Sequence, residues 1–421
     1  MNTNPLRVCL DARLTGGTAG GIEQVIIGIA NGLSKLNDGD EEYYFLTYSD
    51  ACEWIRPYIQ GPCRILLGGH APRQPLWQNG LGKILPTGWV RLDKFIKILV
   101  PWIIHPPKSD GIIEKANIDI MHFTTQKGFV TEVPTIYQPH DLQHIHLPKL
   151  FIPFTRLKRE LLYRKFCEQA DAVVVMTQWG KQDVMQHYGI AENKLKIVPW
   201  APLNPAYTVP SKQEIENMRS QLALPDTFIF YPAKTWAHKN HIALLEALVI
   251  IRQRHGLRVP LVSSGSFTPF FSKIQKRIKK LQLSEQTTFL GFVSPIELQC
   301  LYQLCQCMVF PSQFEGWGLP ITEAFFAGVP VTCSNATSLP QLVGDAALVF
   351  DHDKPEKMAE AIFRLWTDNA LRKTLIERGK QRVAQFTWER TARLFRAHYR
   401  RIANRPLTEE DRILSDTLPL V

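Results

Sequence analysis

The sequence predicts an α/β protein with two consecutive Rossmann-like, doubly wound domains and a cleft between them. Three observations predict it. Short apolar, β-branched runs alternate with helix-period segments throughout the chain, the pattern of βαβ units and parallel sheets. At 421 residues the chain is long for one compact core. Near its middle, PWAPLNPAYTVPS (199–211) carries four prolines and no periodicity, as an interdomain linker would. The expected divisions are 1–203 for the first domain, 204–387 for the second, and 388–421 for a terminal helix and tail.

Each element has its own signal. LRVCLDARL reads as the first strand, a loop covers 15–21, and IEQVIIGIANGLSKL has helical periodicity. YYFLTY, IDIMHF and VPTIYQPHDL follow as strands. RLKRELLYRKFCEQA reads as a helix, ADAVVVMT as a buried strand, KQDVMQHYGI as a helix and KLKIVPWAP as a closing strand. Beyond the proline-rich stretch the alternation restarts with FIFYPAK, the helical HIALLEALVIIRQRHG, the strand VPLVSSG and a basic helix. TTFLGFV, CQCMVFPS, VPVTCSN and AALVF supply further strands. Residues 70–110 break the pattern by mixing Trp77, Trp89 and Trp102 with Lys83, Arg91, Lys94 and Lys97. They read either as a packed surface insertion or as an interfacial helix touching a membrane or a lipid-linked acceptor.

Composition narrows the class. Apolar content of 45% and charged content of 21% are ordinary for a globular protein. No apolar run reaches the roughly 18 residues that span a bilayer. The eight cysteines form no C-x-x-C pairs and no signal-peptide pattern opens the chain, so they read as reduced and the expected location is the cytoplasm. The formal charge is +10, with basic clusters at 273–280 and 390–405 that read as exposed helix faces. Such faces are either solvated or attracted to anionic headgroups or an anionic acceptor, which leaves peripheral attachment to the inner face of a cell membrane open. Nucleic acid is excluded as a partner, because no helix-turn-helix, RNA-recognition or zinc-finger signature accompanies the charge.

Two segments carry chemistry. In FPSQFEGWGLPITEAFFAGVPV, Glu315 and Glu323 stand eight positions apart around Gly316, Gly318 and Pro320. With a helix starting near Leu319–Ile321, Glu323 would sit in its first turn and Glu315 in the loop feeding it. Glycines and a proline suit a tight loop ending at a helix N-terminus, which offers amide donors to phosphate. The carboxylates would accept hydrogen bonds from sugar or ribose hydroxyls. In YPAKTWAHKNHIALLEAL, Lys234 and Lys239 flank a strand-to-helix loop of the second domain and would converge on a diphosphate. GGTAGG at 16–21 is no G-x-G-x-x-G match, and His140 stands at a strand end in PHDL.

Together these motifs resemble the retaining glycosyltransferases of the GT-B fold, fourth family, over nearly the whole chain. Glu315 to Glu323 resembles that family's E-x7-E, EGWGLP resembles E-G-F-G-L-P, and Lys239 falls on the phosphate-binding lysine. Lys234 stands where most members have arginine, keeping the charge but losing the fork. The resemblance implies that Glu315 contacts the transferred sugar, Glu323 the ribose, and the amides of Gly316 to Leu319 the sugar and phosphate. It also implies a donor-phosphate loop at Gly20 and Gly21, a base-holding segment at Phe292 and Val293, and His140 near the transferred sugar. FTWERTARLFRAHYRRI resembles the helix that crosses back onto the first domain in this fold.

The expected activity is transfer of a hexosyl unit, mannose or glucose, from a nucleoside-diphosphate sugar to a hydroxyl of a growing glycan, polysaccharide or lipid-linked oligosaccharide. GDP-mannose is the first expectation for the donor and a UDP-sugar the second. Lys239, Glu315 and His140 are the expected catalytic residues. A nucleotide-sugar epimerase and a non-catalytic sugar-nucleotide binder are the competing classes. No metal is expected: Asp351-His352-Asp353 reads as a strand-end loop, and His140, His144 and His146 lack an evident acidic or cysteine partner.

Overall fold

The computed structural model describes residues 4–16, 20–71, 105–202, 210–416 and 421. The tryptophan- and lysine-rich stretch falls almost wholly at 72–104, and most of the proline-rich segment at 203–209, both outside the described residues. The chain forms two units. One comprises Met1–Val175, Lys181–Val198 and Trp388–Leu418; the other comprises Met176–Gly180, Pro199–Thr387 and Pro419–Val421.

The first unit holds a seven-stranded sheet in the order β3-β2-β1-β4-β5-β6-β7. The strands are β1 Leu6–Asp11, β2 Glu41–Thr47, β3 Cys63–Leu67, β4 Ile120–Phe123, β5 Thr135–Tyr137, β6 Ala172–Val175 and β7 Leu195–Ile197. Every neighbouring pair is parallel. Parallel strands buried on both faces read as continuous apolar runs, and β4 and β6 have every residue buried. The sequence reading missed β3, an edge strand whose pattern is interrupted by Arg64 and whose last residue, Leu67, is exposed. The first unit's longer helices before the second unit are α1 Gly21–Ser34, α2 Pro153–Gln169 and α3 Gln178–Tyr188. Phe123, Tyr137, Tyr163 and Phe166 meet in the core between sheet and α2.

The second unit holds a six-stranded parallel sheet in the order β10-β9-β8-β11-β12-β13. Its strands are β8 Ile229–Pro232, β9 Leu261–Ser264, β10 Thr287–Gly291, β11 Cys307–Phe310, β12 Val331–Ser334 and β13 Ala347–Phe350. The helices that matter here are α4 His241–His255, α5 Phe271–Lys280, α6 Pro295–Leu304 and α7 Leu319–Phe326. Both sheets thus follow the doubly wound order with a reversal beside their first strand, between β1 and β4 and between β8 and β11.

Helix α8, Trp388–Ile402, belongs to the first unit and lies against α1. Gly28 and Gly32, one helical turn apart on α1, form a notch for Trp388: a Cβ on Gly28 would sit 2.0 Å from the indole. The basic stripe of this helix is not the exposed face read from the sequence. Arg396 is fully buried, its guanidinium forked between Asp411 (2.7 and 2.8 Å) and Asp38 (2.5 and 3.1 Å). Arg400 is buried against Glu41, Arg393 pairs with Asp38 and Glu410, and Arg405 with Asp40. Hydrophobic patterning cannot distinguish arginines that face water from arginines that clasp acids 350 residues away. The other basic cluster does face solvent, with Lys273, Lys276, Lys279 and Lys280 exposed on α5 and Arg277 paired to Glu246. Among the described residues no helix is long and apolar enough to cross a membrane.

Candidate functional site

In open α/β sheets ligands bind beyond the carboxyl ends of the strands where strand order reverses. In the second unit that point lies between the loops after β8 and β11. The first loop carries Lys234 and Lys239 and turns into α4 through Asn240, held at φ 60°. The second carries Glu315 to Gly318 and feeds α7.

The two loops are knit together. Gln313 N–H donates to the His238 carbonyl at 2.8 Å, and Tyr231 Oη, from β8, donates to the Lys239 carbonyl at 2.7 Å. Lys239 Nζ then donates to Glu315 Oε1 at 2.5 Å, with both side chains mostly shielded from water, and sits 5.6 Å from the Phe310 ring centre. Thr337 Oγ1 accepts from the Glu315 N–H and donates to its carbonyl, which Ser338 Oγ also reaches. Phe314 and Trp317 are buried on either side, Phe314 edge-on to Trp179 and Trp317 edge-on to Phe386. The alternation of anchored aromatics and small residues explains why Glu315 and Gly316 reach the surface of the loop. Gly318 is required where it stands: at φ 113° a Cβ would meet Leu339 at 2.9 Å. Lys234 is exposed on the same loop as Lys239.

Glu323 departs from the expectation. Helix α7 begins at Leu319, so Glu323 lies in its second turn and receives none of the N-terminal amides. It is buried, burial pushes its carboxyl up to about 7, and a 2.8 Å hydrogen bond from Tyr302 Oη on α6 partly opposes that rise. Its carboxyl therefore holds its proton well above the usual carboxylate range, and α6 fixes it in place.

Phe292 and Val293 follow β10, with Phe292 69% exposed. Two residues the sequence reading passed over share this edge of the sheet. Trp236 after β8 and Phe267 after β9 are 49% and 50% exposed. Gly265, at φ 128°, permits the crossing, because a Cβ would lie 2.5 Å from the Ala233 carbonyl group. The signal was present as SSG at a strand end. Tyr302 had no such signal, since its partner is 21 residues away.

The first unit has the equivalent reversal between β1 and β4. Gly20 precedes α1 at φ 60°, ψ −128°, a backbone region that only glycine occupies readily, and Gly21 is the first helical residue. His140 follows β5 at φ 64°, and its Nε2 lies 2.8 Å from the Thr124 carbonyl. A carbonyl only accepts, so Nε2 carries the proton; burial pushes the imidazole down to about 4, so the ring is neutral at physiological pH. His140 and Gly20 belong to one unit, and Lys239, Glu315 and Glu323 to the other.

The three histidines weighed for a metal are not gathered. His144 meets Glu160 and Tyr188, whereas His146 Nε2 meets Asp183 Oδ1 at 2.7 Å, with His187 Nδ1 3.0 Å from the same oxygen. An acidic partner for His146 therefore exists, contrary to the sequence reading, and reaches it through helix α3. The Asp351, His352 and Asp353 ligand atoms also lie close together; Asp351 pairs with Lys354 at 3.0 Å and His352 with Asn335.

Comparisons with known proteins agree with this geometry. Residues 213–382 match the family model described as glycosyl transferases group 1, and 19–201 match that of glycosyltransferase family 4. The O-antigen chain mannosyltransferase B of Escherichia coli is 27% identical over 279 residues, covering 62% of this chain and 72% of that protein. The serotype-specific mannosyltransferase WbdA of Escherichia coli is 30% identical over 241 residues, covering 56% of this chain but only 30% of that longer protein. Among solved structures, Anabaena HepE, determined with UDP and glucose, matches with TM-score 0.67 and 18% identity over 93% of this chain and 99% of that one. Two parallel sheets of matching order, a lysine–glutamate pair at a switch point, and family models over both halves lead to one assignment: the chain belongs to the family 4 glycosyltransferases of the GT-B fold.

Proposed function

We propose that this protein transfers a hexosyl unit, mannose in the first instance, from a nucleoside-diphosphate sugar to a hydroxyl of a growing glycan, with retained anomeric configuration. The observation that carries the reading is the Lys239–Glu315 pair, fixed between two loops at the switch point of the second sheet. Glu315 takes one N–H of the ammonium, which leaves two donors to aim at a diphosphate. Lys234 adds a second charge on the same loop. As the anomeric C–O bond to the diphosphate breaks, negative charge builds on the leaving oxygen; fixed cations and loop amides from Gly316 to Leu319 lower that barrier. The acceptor oxygen bonds to the anomeric carbon on the same face, and its proton passes to the departing diphosphate.

The remaining residues divide the donor among them. Glu315 orients the sugar, Glu323 accepts from the ribose hydroxyls, and Phe292 and Val293, with Trp236 and Phe267, offer a surface for the base. Gly20 and Gly21 bring backbone to the phosphate, and neutral His140 presents its ring to the sugar. The mannosyltransferase names of the relatives support GDP-mannose; the UDP complex of HepE supports a UDP-sugar as the second donor. The acceptor is a glycan, polysaccharide or lipid-linked oligosaccharide, reached in the cytoplasm and, for a lipid-linked chain, at an anionic membrane face.

Lys239→Ala should reduce turnover on the order of hundreds-fold with the fold intact, because Tyr231 holds the backbone carbonyl of residue 239, although the midpoint should fall slightly as Glu315 loses its partner. Near-normal turnover of labelled donor into glycoside would remove the proposal. Lysines and amides do the work that a divalent ion would otherwise perform, so transfer should persist in EDTA. Activity that vanishes with chelator and returns with manganese would move the chemistry to Asp351 and Asp353.

A further inference from the structure

We propose that the acceptor carries a phosphate or diphosphate group, and that the first unit seats this group in a basic cavity adjoining His140. The inference rests on the glycosyl-transfer reading above. The cavity, about 730 Å³, opens at the carboxyl ends of β1 and β4. That volume accommodates a sugar with its phosphate.

Its walls are built from two elements. On α2, Thr155, Lys158, Arg159 and Leu162 have the i, i+3, i+4, i+7 spacing of a single helix face. Opposite them runs the loop Thr125–Phe129, which contributes Lys127, and Lys108 lies at the rim. The floor is apolar, formed by Phe129, Tyr163 and Phe166.

The charges do not cancel. Asp11 is taken up by Arg13, which grips both carboxylate oxygens at 2.9 and 2.7 Å. Asp110 accepts from the Ile112 N–H. Lys108, Lys127, Lys158 and Arg159 have no acidic partner among the described residues; Arg159 only covers the Phe151 ring at 4.8 Å. Helix α2 has no acid in its first turn, and Lys158 and Arg159 follow side by side in its second turn. Cations gathered on one cavity without acidic partners are expected where an anionic ligand compensates them.

The cavity is tied to the reacting region by one loop. Thr124 accepts from His140, and the next two residues line the cavity; Gln126 Nε2 donates to the Pro139 carbonyl at 3.1 Å. An anion held by Lys127, Lys158 and Arg159 therefore places the attached sugar beside His140.

Isothermal titration of the full chain with inorganic pyrophosphate should show two sites. Lys239→Ala should remove one, and Lys158→Glu with Arg159→Glu the other. One site, lost only in Lys239→Ala, would overturn the cavity and leave the donor reading standing; one site lost only in the double variant would overturn the donor reading and support the cavity. In turnover, the double variant should raise KM at least tenfold for a sugar acceptor ending in a diphosphate, with no change for the same sugar ending in a methyl group or for the donor. Lys127→Ala, on the loop, should act in the same direction without touching α2, so a folding defect in the double variant does not decide the matter. Offering the diphosphate acceptor on a short alkyl chain in solution, then on a long chain in phosphatidylcholine vesicles, separates the sources. Equal dependence on Lys158 and Arg159 in both formats supports recognition of the phosphate itself. Dependence confined to vesicles overturns it in favour of surface attraction.

Discussion

Glu323 is a carboxyl group surrounded by protein and held by one tyrosine, and its raised pKa would give the proposed donor site a pH signature. Its folded value, about 7, lies above the ordinary 4.5. Its contribution to stability is therefore fully present below about pH 4.5 and lost as the pH rises through about 7. In the proposed donor site binding runs the other way, because ribose hydroxyls donating to Glu323 favour its ionised form. Affinity for the nucleoside diphosphate should rise up to about tenfold from pH 6 to pH 8, following the competent fraction, and Glu323→Gln should flatten the profile. Calorimetry across that range tests it; a flat wild-type profile would remove Glu323 from the ribose contact. The sequence made Glu323 a candidate through its spacing from Glu315, but placed it in the first turn of α7. What it could not show was Tyr302, since a partner on another helix leaves no trace in local spacing.

At the scale of elements, the α1–α8 contact decides between two opposed effects. Alanine has a helix propensity about 1 kcal/mol better than glycine, so an isolated helix would gain from Gly28→Ala. In this fold the new methyl would lie 2.0 Å from the Trp388 indole. Overpacking of that kind costs about 1–3 kcal/mol, so Gly28→Ala should lower the thermal midpoint by several degrees. A raised midpoint would show that the notch has room. The sequence revealed α1 through its apolar periodicity and α8 through its resemblance to a terminal family helix. It did not reveal that Arg396 and Arg400 are buried, because charge patterning marks a face as polar without saying whether water or acids cover it. Strand β3 was missed because Arg64 interrupts a run of only five residues.

For the whole molecule, the strands were legible because both sheets are parallel and their central strands are buried, so nearly every strand appears as an apolar run between turn residues. The candidate site's two loops were legible because their residues are close in sequence: Lys234 with Lys239, and Glu315 through Leu319. It was illegible where residues come from the ends of different strands, as do Phe267, Trp236 and Phe292, or from distant parts of the chain, as do His146 and Asp183. The first unit's basic cavity belongs to this second class. Lys108, Lys127 and Lys158 look like ordinary surface charge until β1, β4 and α2 are assembled around them.

Helix α8 has one more consequence, for biosynthesis. The notch in α1 and the acid at Asp38 wait for Trp388 and Arg396, which leave the ribosome more than 350 residues later. During translation the amino-terminal sheet must persist with a lidless flank while Pro199–Thr387 of the other unit is made, and that flank is covered only when Trp388 to Ile402 arrives.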